Sequence, residues 1–171
     1  IGVLRDPQSR GGSEAVHKLA VEGATFQIEG PRNHFPLTET AAKTVLLGGG
    51  IGITPMIAMA KRLHAIGQDF ELHYCTRSQE VTAFYDDLTT APFADKVIFH
   101  FDDQDADQKL DLARDLPKPA ADTHLYVCGP QGFMDWVIAT AEGAGHAVAN
   151  VHREYFSADA DLTGNGFEVE C

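Results

Sequence analysis

A glycine-rich stretch from Gly48 to Pro55, GGGIGITP, constrains the fold of this chain more than any other feature. The apolar run before it, residues 44–47, predicts a buried strand, and apolar residues at helical spacing from Met56 onward predict a helix. Thr54 is expected to cap that helix and Pro55 to occupy its first position, because these residue types are favoured there. The glycines are therefore predicted to form a strand-to-helix turn.

A turn of this kind is suited to an anionic ligand. Free backbone N–H groups lie at the positive end of the helix dipole, and the missing side chains let a ligand approach the main chain. A phosphate or pyrophosphate is the expected ligand, and a tight turn whose glycines serve geometry alone is the alternative. Neither G-x-G-x-x-G nor G-x-x-x-x-G-K-[ST] can be threaded through the stretch, which disfavours the standard dehydrogenase and P-loop interpretations.

Composition limits the general partners of the chain. Its 171 residues, 44% hydrophobic and 22% charged, are enough for one packed domain and part of a second. The formal net charge of −12 would repel nucleic acid and anionic membrane surfaces, so neither is expected as a partner. No apolar run approaches the roughly 20 residues that a membrane-spanning helix needs.

The cysteines favour a reducing compartment. Cys75, Cys128 and Cys171 form no C-x-x-C pair, so neither a disulfide framework nor a zinc site is predicted, and a cytoplasmic location is expected. Acidic stretches at 102–107 and 159–170 are interpreted as a solvated loop and a linker rather than calcium loops, so no metal site is predicted.

The N-terminal part of the chain predicts strands and one short helix. Strands are expected at 1–4 and 24–29, and Ser13 is expected to cap a helix over 14–21. The segment from Gly11 to Ser13 would then be a second helix N-terminus, which either holds a phosphate or is a plain capped helix. A domain boundary is expected in 38–43, where the pattern changes.

Beyond that boundary, strands and helices alternate every 20 to 30 residues, which is typical of a parallel α/β sheet. The five predicted strands are 44–47, 70–75, 96–101, 123–128 and 148–156, with helices after Pro55, at 82–88 and after Pro130. Because the carboxyl ends of parallel strands meet at one edge, Gly48, Cys75 and Cys128 should lie together there. Arg77 and Ser78 follow the second strand, at the point where a standard NAD fold carries an acidic residue. These two residues either contact a phosphate or an adenine ring, or belong to a solvated loop.

Several motifs occur together in a fixed order. They are Arg10-Gly11-Gly12-Ser13, Gly30-Pro31-Arg32-Asn33, Gly49-Gly50-Ile51-Gly52-Ile53-Thr54-Pro55, Tyr74-Cys75-Thr76-Arg77-Ser78, Cys128-Gly129-Pro130 and Glu154-Tyr155-Phe156. With them the chain resembles the phthalate dioxygenase reductase family of the ferredoxin reductase superfamily, over essentially all residues from Gly2 to Phe156.

This resemblance implies an NADH-dependent flavin iron–sulfur oxidoreductase. Such a protein is the reductase component of a multicomponent aromatic-ring oxygenase or O-demethylase, and passes electrons from NADH through FMN and a [2Fe–2S] cluster to a terminal oxygenase. The implied fold is a ferredoxin reductase-like NAD-binding domain with a five-stranded parallel sheet flanked by helices, preceded by the C-terminal tail of a flavin-binding β-barrel.

The resemblance also implies a division of the chain. Residues 1–37 would be the C-terminal part of the FMN-binding domain, 38–157 the NAD-binding domain, and 158–171 a linker and the first strand of a truncated [2Fe–2S] domain. The family's R-x-Y-S flavin motif and C-x4-C-x2-C cluster motif are absent from this sequence, and the chain lacks an initiator Met. It is therefore expected to be a fragment that binds NAD(H) only and is inactive in electron transfer by itself.

Roles for single residues follow from the same resemblance. Gly11 to Ser13 would hold the FMN phosphate, the turn from Gly49 to Thr54 the NAD pyrophosphate, and Cys128 to Pro130 the nicotinamide. The expected catalytic residues are Thr54, near the flavin, Cys128, and Phe156, which would stack near the isoalloxazine. The expected cofactor-binding residues are Gly11, Gly12, Ser13, Gly49, Gly50, Ile51, Gly52, Thr54, Pro55, Cys75, Arg77, Ser78, Cys128, Gly129, Pro130, Phe133, Met134 and Phe156.

The sequence has three alternative interpretations of its function. A short-chain dehydrogenase is disfavoured, because none of the four tyrosines is followed four residues later by a lysine. A nucleotide-binding module without redox chemistry and another NAD(P)H-flavin reductase both stay open.

Overall fold

Five parallel strands form the centre of the fold. The computed structural model describes residues 1–7, 9 and 11–156; Arg10 and the expected linker and strand in 158–171 lie outside these residues. The strands are β1 (Lys43–Gly49), β2 (Phe70–Thr76), β3 (Val97–Phe101), β4 (Thr123–Cys128) and β5 (Val151–Glu154). Their order in the sheet is β3-β2-β1-β4-β5, and every neighbouring pair is parallel, which confirms the predicted fold class.

Helices connect the strands and cover both faces of the sheet. They are α1 (Gly12–Leu19), α2 (Ile53–Ala65), α3 (Tyr85–Thr89), α4 (Leu112–Asp115) and α5 (Gln131–Gly143). Short 3-10 turns lie at Gly50–Gly52, Gln79–Val81, Ala94–Lys96 and Val148–Asn150.

The central strand β1 is buried on both faces, as expected for a parallel sheet between two helical layers. Leu46 contributes to one apolar cluster, which includes Met56 and Leu63 of α2. Val45 and Leu47 point to the opposite face and contribute to a second cluster with α5. The alternation of β1 side chains therefore ties both helical layers to one strand.

The order of the strands creates a crevice beside β1. The chain runs from β1 to β2 and β3 on one side, then crosses to β4 and β5 on the other. Gly48 of β1 pairs with Cys128 of β4, and Gly49 pairs with Cys75 of β2. In open parallel sheets, ligands bind beyond the carboxyl ends of the strands at such a reversal, so the glycine turn lies where a ligand is expected.

The predicted strands at 1–4 and 24–29 are wrong. Both segments are irregular, and Phe26 and Ile28 are 52% and 83% exposed. A strand needs a neighbour to accept its backbone hydrogen bonds, and within the described residues no strand pairs with either segment. The predicted Ser13 cap is also wrong, because α1 begins at Gly12 and the Ser13 hydroxyl bonds to Ser9 Oγ at 2.9 Å.

The predicted start of α2 needs a related correction. The 3-10 turn of the glycine stretch continues directly into the helix, so the helix begins at Ile53 and Pro55 is its third residue rather than its first. The Thr54 hydroxyl donates to the carbonyl oxygen of Ile51 at 3.1 Å and does not cap the helix. Pro55 is tolerated there because N–H groups of the first turn have no partner inside a helix.

Two other elements are shorter than predicted. The helix expected at 82–88 covers only Tyr85–Thr89. Phe84 adopts a left-handed backbone conformation, with φ of 60°, and this conformation separates the helix from the preceding 3-10 turn. The strand expected at 148–156 covers only Val151–Glu154. It begins after a 3-10 turn and ends at Glu154, the partner of the last residue of β4.

In the described part of the chain, no helix has both the length and the apolar character needed to cross a bilayer. The same residues include no group of three or more His, Cys, Asp or Glu side chains placed to hold a metal ion.

Candidate nucleotide-binding site

A cavity of about 750 Å³ opens at the carboxyl edge of the sheet, above β1, β2 and β4. Its walls come from the glycine turn, the ends of β2, β3 and β4, the start of α5, and two segments at the termini of the described chain. The lining residues are Leu4, Gly49, Gly50, Ile51, Cys75, Thr76, Arg77, Val81, Asp102, Gly129, Pro130, Gln131, Phe133, Met134, Tyr155 and Phe156.

The glycine turn forms the floor of this cavity. Gly50 has a φ of +52°, a left-handed conformation that disfavours side chains, and a Cβ built there would meet no atom within 4 Å. Gly49 is confined, since its Cβ would lie 2.9 Å from Phe133 Cδ1 and 3.1 Å from Pro130 Cδ. The turn therefore needs glycine at position 49 because a side chain would clash there, and at position 50 because the backbone is left-handed and the space above it must stay open to a ligand.

The turn between β4 and α5 closes the cavity on the other side of β1. Gly129 approaches Gly49 so closely that a Cβ on Gly129 would lie 3.0 Å from the Gly49 carbonyl oxygen. Helix α5 begins at Gln131, which lines the cavity. The positive end of a 13-residue helix thus lies at the cavity wall, where it favours an anionic ligand.

Both described cysteines are protonated thiols at neutral pH. Burial, and then the charges of Asp102 and Asp115, raise the pKa of Cys75 to about 12. Burial, and then the charge of Glu154, also raise the pKa of Cys128 to about 12. Because a thiol that stays protonated is a poor nucleophile, neither residue is suited to covalent catalysis.

Two opposite charges lie at the β2 and β3 side of the cavity. Arg77 and Asp102 both line it and both are exposed. The backbone N–H of Asp102 donates to the carbonyl oxygen of Thr76 at 3.0 Å, and the backbone N–H of Asp103 donates to the carbonyl oxygen of Arg77 at 3.1 Å. These bonds extend the pairing of β2 with β3 and hold Asp102 beside the segment that contains Arg77.

Segments from both ends of the described chain complete the walls. Leu4 lines the cavity beside Tyr155 and Phe156, the last of which is 52% exposed. A Cβ on Gly2 would lie 3.0 Å from the Thr54 methyl carbon, so the N-terminal segment packs against the start of α2. The imidazole Nε2 of His17 is 2.9 Å from the Val3 carbonyl oxygen, which ties α1 to the same segment.

The structure brings many of the predicted site residues together and leaves others apart. Those that line the cavity are Gly49, Gly50, Ile51, Cys75, Arg77, Gly129, Pro130, Phe133, Met134 and Phe156. Gly52 lies behind the floor against Cys128, whose side chain is completely buried beneath the cavity. Pro55 and Ser78 line two other cavities, and Thr54 faces the N-terminal segment. Gly11, Gly12 and Ser13 lie at the start of α1, outside the cavity.

The prediction missed several lining residues, which are Leu4, Thr76, Val81, Asp102, Gln131 and Tyr155. Three of them had a sequence signal. Asp102 directly follows the third predicted strand, whose carboxyl end lies at the same edge. Thr76 and Tyr155 lie in two of the quoted motifs, Tyr74-Cys75-Thr76-Arg77-Ser78 and Glu154-Tyr155-Phe156. Leu4 and Val81 had none, because an irregular segment carries Leu4 to the cavity and a short 3-10 turn carries Val81 there.

Comparison with known proteins agrees with this geometry. Residues 46–138 match the family described as oxidoreductase NAD-binding domain. A vanillate O-demethylase oxidoreductase of Pseudomonas putida is 50% identical over 172 residues, covering 99% of this chain and 54% of the relative. A protein of the same description from Pseudomonas sp. (strain HR199 / DSM 7063) is 52% identical over 171 residues, with the same coverage.

A solved structure has the same fold as this chain. Phthalate dioxygenase reductase, described as a modular structure for electron transfer from pyridine nucleotides to [2Fe–2S], superimposes with a TM-score of 0.80 at 40% identity. The match covers 92% of this chain and 49% of that one. The chain spans about half the length of the curated relatives it matches. It belongs to the oxidoreductase NAD-binding domain family, and its NAD-binding domain is similar to that of phthalate dioxygenase reductase.

Proposed function

We propose that the chain is the NAD(H)-binding part of a reductase that serves a multicomponent aromatic-ring oxygenase or O-demethylase. In the whole protein, electrons would pass from NADH through FMN and a [2Fe–2S] cluster to a terminal oxygenase. Relatives that share half of their length with this chain include vanillate O-demethylase oxidoreductases, which supports an O-demethylase as the system served.

The observation that carries the proposal is the cavity at the reversal point of the sheet, with Gly50 at its floor. The open space at Gly50 lets a pyrophosphate reach the main chain, and the start of α5 adds a favourable dipole. Apolar walls formed by Phe133, Met134 and Phe156 suit the flat rings of a dinucleotide. The residues present therefore fit NAD(H).

The flavin would lie at the side of the cavity where the N-terminal segment passes. Thr54 packs against Gly2, and Phe156 lies at the wall with its ring half exposed, free to stack on an aromatic cofactor. The exposed N-terminus of α1, at Gly11, Gly12 and Ser13, supports a phosphate site for FMN. Residues 1–37 would then belong to the flavin domain, 38–157 to the NAD domain, and 158–171 to the cluster domain.

When bound, the nicotinamide would supply a hydride, and the flavin would convert the electron pair into single electrons. The chain's own residues bind, orient and exclude water. The backbone at Cys128, Gly129 and Pro130 would hold the nicotinamide end, and Gly129 and Pro130 line the cavity. The glycine turn would hold the pyrophosphate, because the space above Gly50 is open. Cys128 contributes as a neutral, buried thiol, because its pKa is raised to about 12.

The partner and location follow from the proposed reaction. The partner is a terminal oxygenase, and the formal net charge of −12 disfavours nucleic acid and anionic membranes. The free thiols Cys75 and Cys128 suit a reducing compartment, so we place the protein in the cytoplasm.

Anaerobic titration of the protein expressed from its full gene tests the proposal. The visible spectrum should show flavin and iron–sulfur bands, and NADH should bleach both. Bands of flavin alone would favour another NAD(P)H-flavin reductase, and the absence of both would favour a nucleotide-binding module without redox chemistry. The 171-residue chain alone should bind NADH without retaining FMN or reducing cytochrome c.

A further inference from the structure

We propose that Asp102 makes the cavity selective for NADH over NADPH, an inference that rests on the proposed nucleotide site. The end of β2 offers Arg77 and Ser78 where standard NAD folds place an acidic residue on the ribose hydroxyls. By that criterion, the chain should accept a 2′-phosphate. Asp102 supplies the missing carboxylate from the neighbouring strand.

The position of Asp102 is fixed by the sheet. Phe101, the last residue of β3, pairs with Thr76, the last residue of β2. The N–H of Asp102 donates to the Thr76 carbonyl oxygen at 3.0 Å, so Asp102 stays at the end of β2 although it comes much later in the chain than Thr76. Asp102 and Arg77 line the same cavity.

The carboxylate of Asp102 is available to a ligand. Within residues 1–7, 9 and 11–156, neither Asp102 nor Arg77 forms a side-chain hydrogen bond or an ion pair with another side chain. The negative charge of Asp102 acts on the cavity wall, since it is one of the causes that raise the pKa of the Cys75 thiol.

The chemistry of the two nucleotides differs at one position. NADH carries a 2′-hydroxyl on its adenosine ribose, which can donate to a carboxylate in a charge-assisted hydrogen bond. NADPH carries a phosphate there, with close to two negative charges at neutral pH, which a carboxylate at short range repels. Arg77 is then left to contact the adenine or the pyrophosphate, and its presence alone does not favour NADPH.

Binding of each nucleotide to three proteins tests the proposal, with calorimetry at one fixed salt concentration. The proteins are the wild type, Asp102→Asn, and the control Asp105→Asn, which removes the same charge three residues later, outside the cavity. We expect Asp102→Asn to lower the ratio of the NADPH to the NADH dissociation constant by about tenfold, as the loss of one short-range repulsion predicts. Asp105→Asn should leave that ratio unchanged within twofold.

The possible results separate this inference from the proposed function. An unchanged ratio in Asp102→Asn, or an equal fall in both variants, would overturn the role of Asp102 while leaving the nucleotide site in place. Failure of the wild type to bind NADH would overturn the proposed site and this inference together. Asp102→Ser also removes the charge. It serves as the second variant if the circular dichroism spectrum of Asp102→Asn shows that this variant does not fold.

Discussion

Gly52 and Cys128 pack so closely that a Cβ at position 52 would overlap the Cys128 carbonyl group and would lie 2.6 Å from the Gly129 nitrogen. This contact joins the glycine turn after β1 to the turn after β4. The first turn forms the floor of the cavity and the second closes one side of it, so their relative position depends on the absence of a side chain at Gly52. Gly52 is therefore a packing residue of the candidate site, although it does not line the cavity.

Gly52→Ala should destabilise the domain by about 3 kcal/mol, because the new methyl group meets backbone atoms that cannot rotate away. Urea denaturation measures the loss. Gly132→Ala is the matched control: position 132 lies in α5, has no atom within 4 Å of a built Cβ, and should gain stability through helix propensity. Equal stability of Gly52→Ala and the wild type would contradict the packing described here.

Tyr126→Phe should cost about 1–2 kcal/mol of folding free energy, because it leaves a backbone N–H group without its acceptor. The completely buried Tyr126 accepts a hydrogen bond from the Thr38 backbone N–H at 2.8 Å and thereby fixes the segment that enters β1. Denaturation of Tyr155→Phe provides the comparison, since Tyr155 is 41% exposed and should change stability by less than about 0.5 kcal/mol. An equal loss of folding free energy in the two variants would show that the Thr38–Tyr126 hydrogen bond does not stabilise the domain.

A buried histidine pair should make the domain less stable as the pH falls. His100 Nδ1 is 3.0 Å from the Gln108 carbonyl oxygen and must donate to it, so a neutral His100 accepts through Nε2 from His73 Nδ1, also at 3.0 Å. Burial, and then the charge of His100, lower the pKa of His73 to about 4, whereas nearby Glu71 opposes the shift. Between about pH 6.5 and pH 4, His73 is therefore protonated in the unfolded chain, where its pKa is about 6.5, but stays neutral in the folded protein.

The unfolding free energy should accordingly fall by about 2 kcal/mol between pH 7 and pH 5 from this residue alone, and the loss should level off below about pH 4. His73→Gln keeps a hydrogen-bond donor for His100 but cannot titrate, so it should reduce the pH dependence by that amount. Denaturation curves at pH 5 and pH 7 test this. An identical pH dependence in the variant and the wild type would show that His73 does not carry the effect.

The parts of the fold that could be predicted from sequence are those set by local pattern. The apolar run before Gly48 and the spacing after Met56 predict a strand, a turn and a helix within one short stretch, and the structure has all three. The expected Thr54 cap was wrong because a 3-10 turn and an α-helix can join without a break, and residue types alone do not reveal that junction.

The parts that could not be predicted depend on long-range pairing. The predicted strand before Asp102 places this residue at the correct edge of the sheet, but its position beside β2 depends on the pairing of β3 with β2. The acidic run around it is typical of a solvated loop and therefore hid this role. Phe84, the residue before α3, adopts a left-handed conformation that bulky residues rarely adopt, so helical propensity misplaces the start of α3. Residues 24–29 alternate like a strand but have no partner strand among the described residues.

Calorimetric NADH binding to the wild type, Gly50→Asp and Gly50→Asn tests whether the glycine turn holds the pyrophosphate. Aspartate and asparagine have the same size and both tolerate the left-handed conformation at Gly50, so their difference isolates a negative charge at the floor of the cavity. The wild type should bind NADH, and Gly50→Asp should bind at least about tenfold more weakly than Gly50→Asn, with circular dichroism unchanged. Equal NADH affinity in Gly50→Asp and the wild type, with the fold intact, would contradict a pyrophosphate site at the glycine turn.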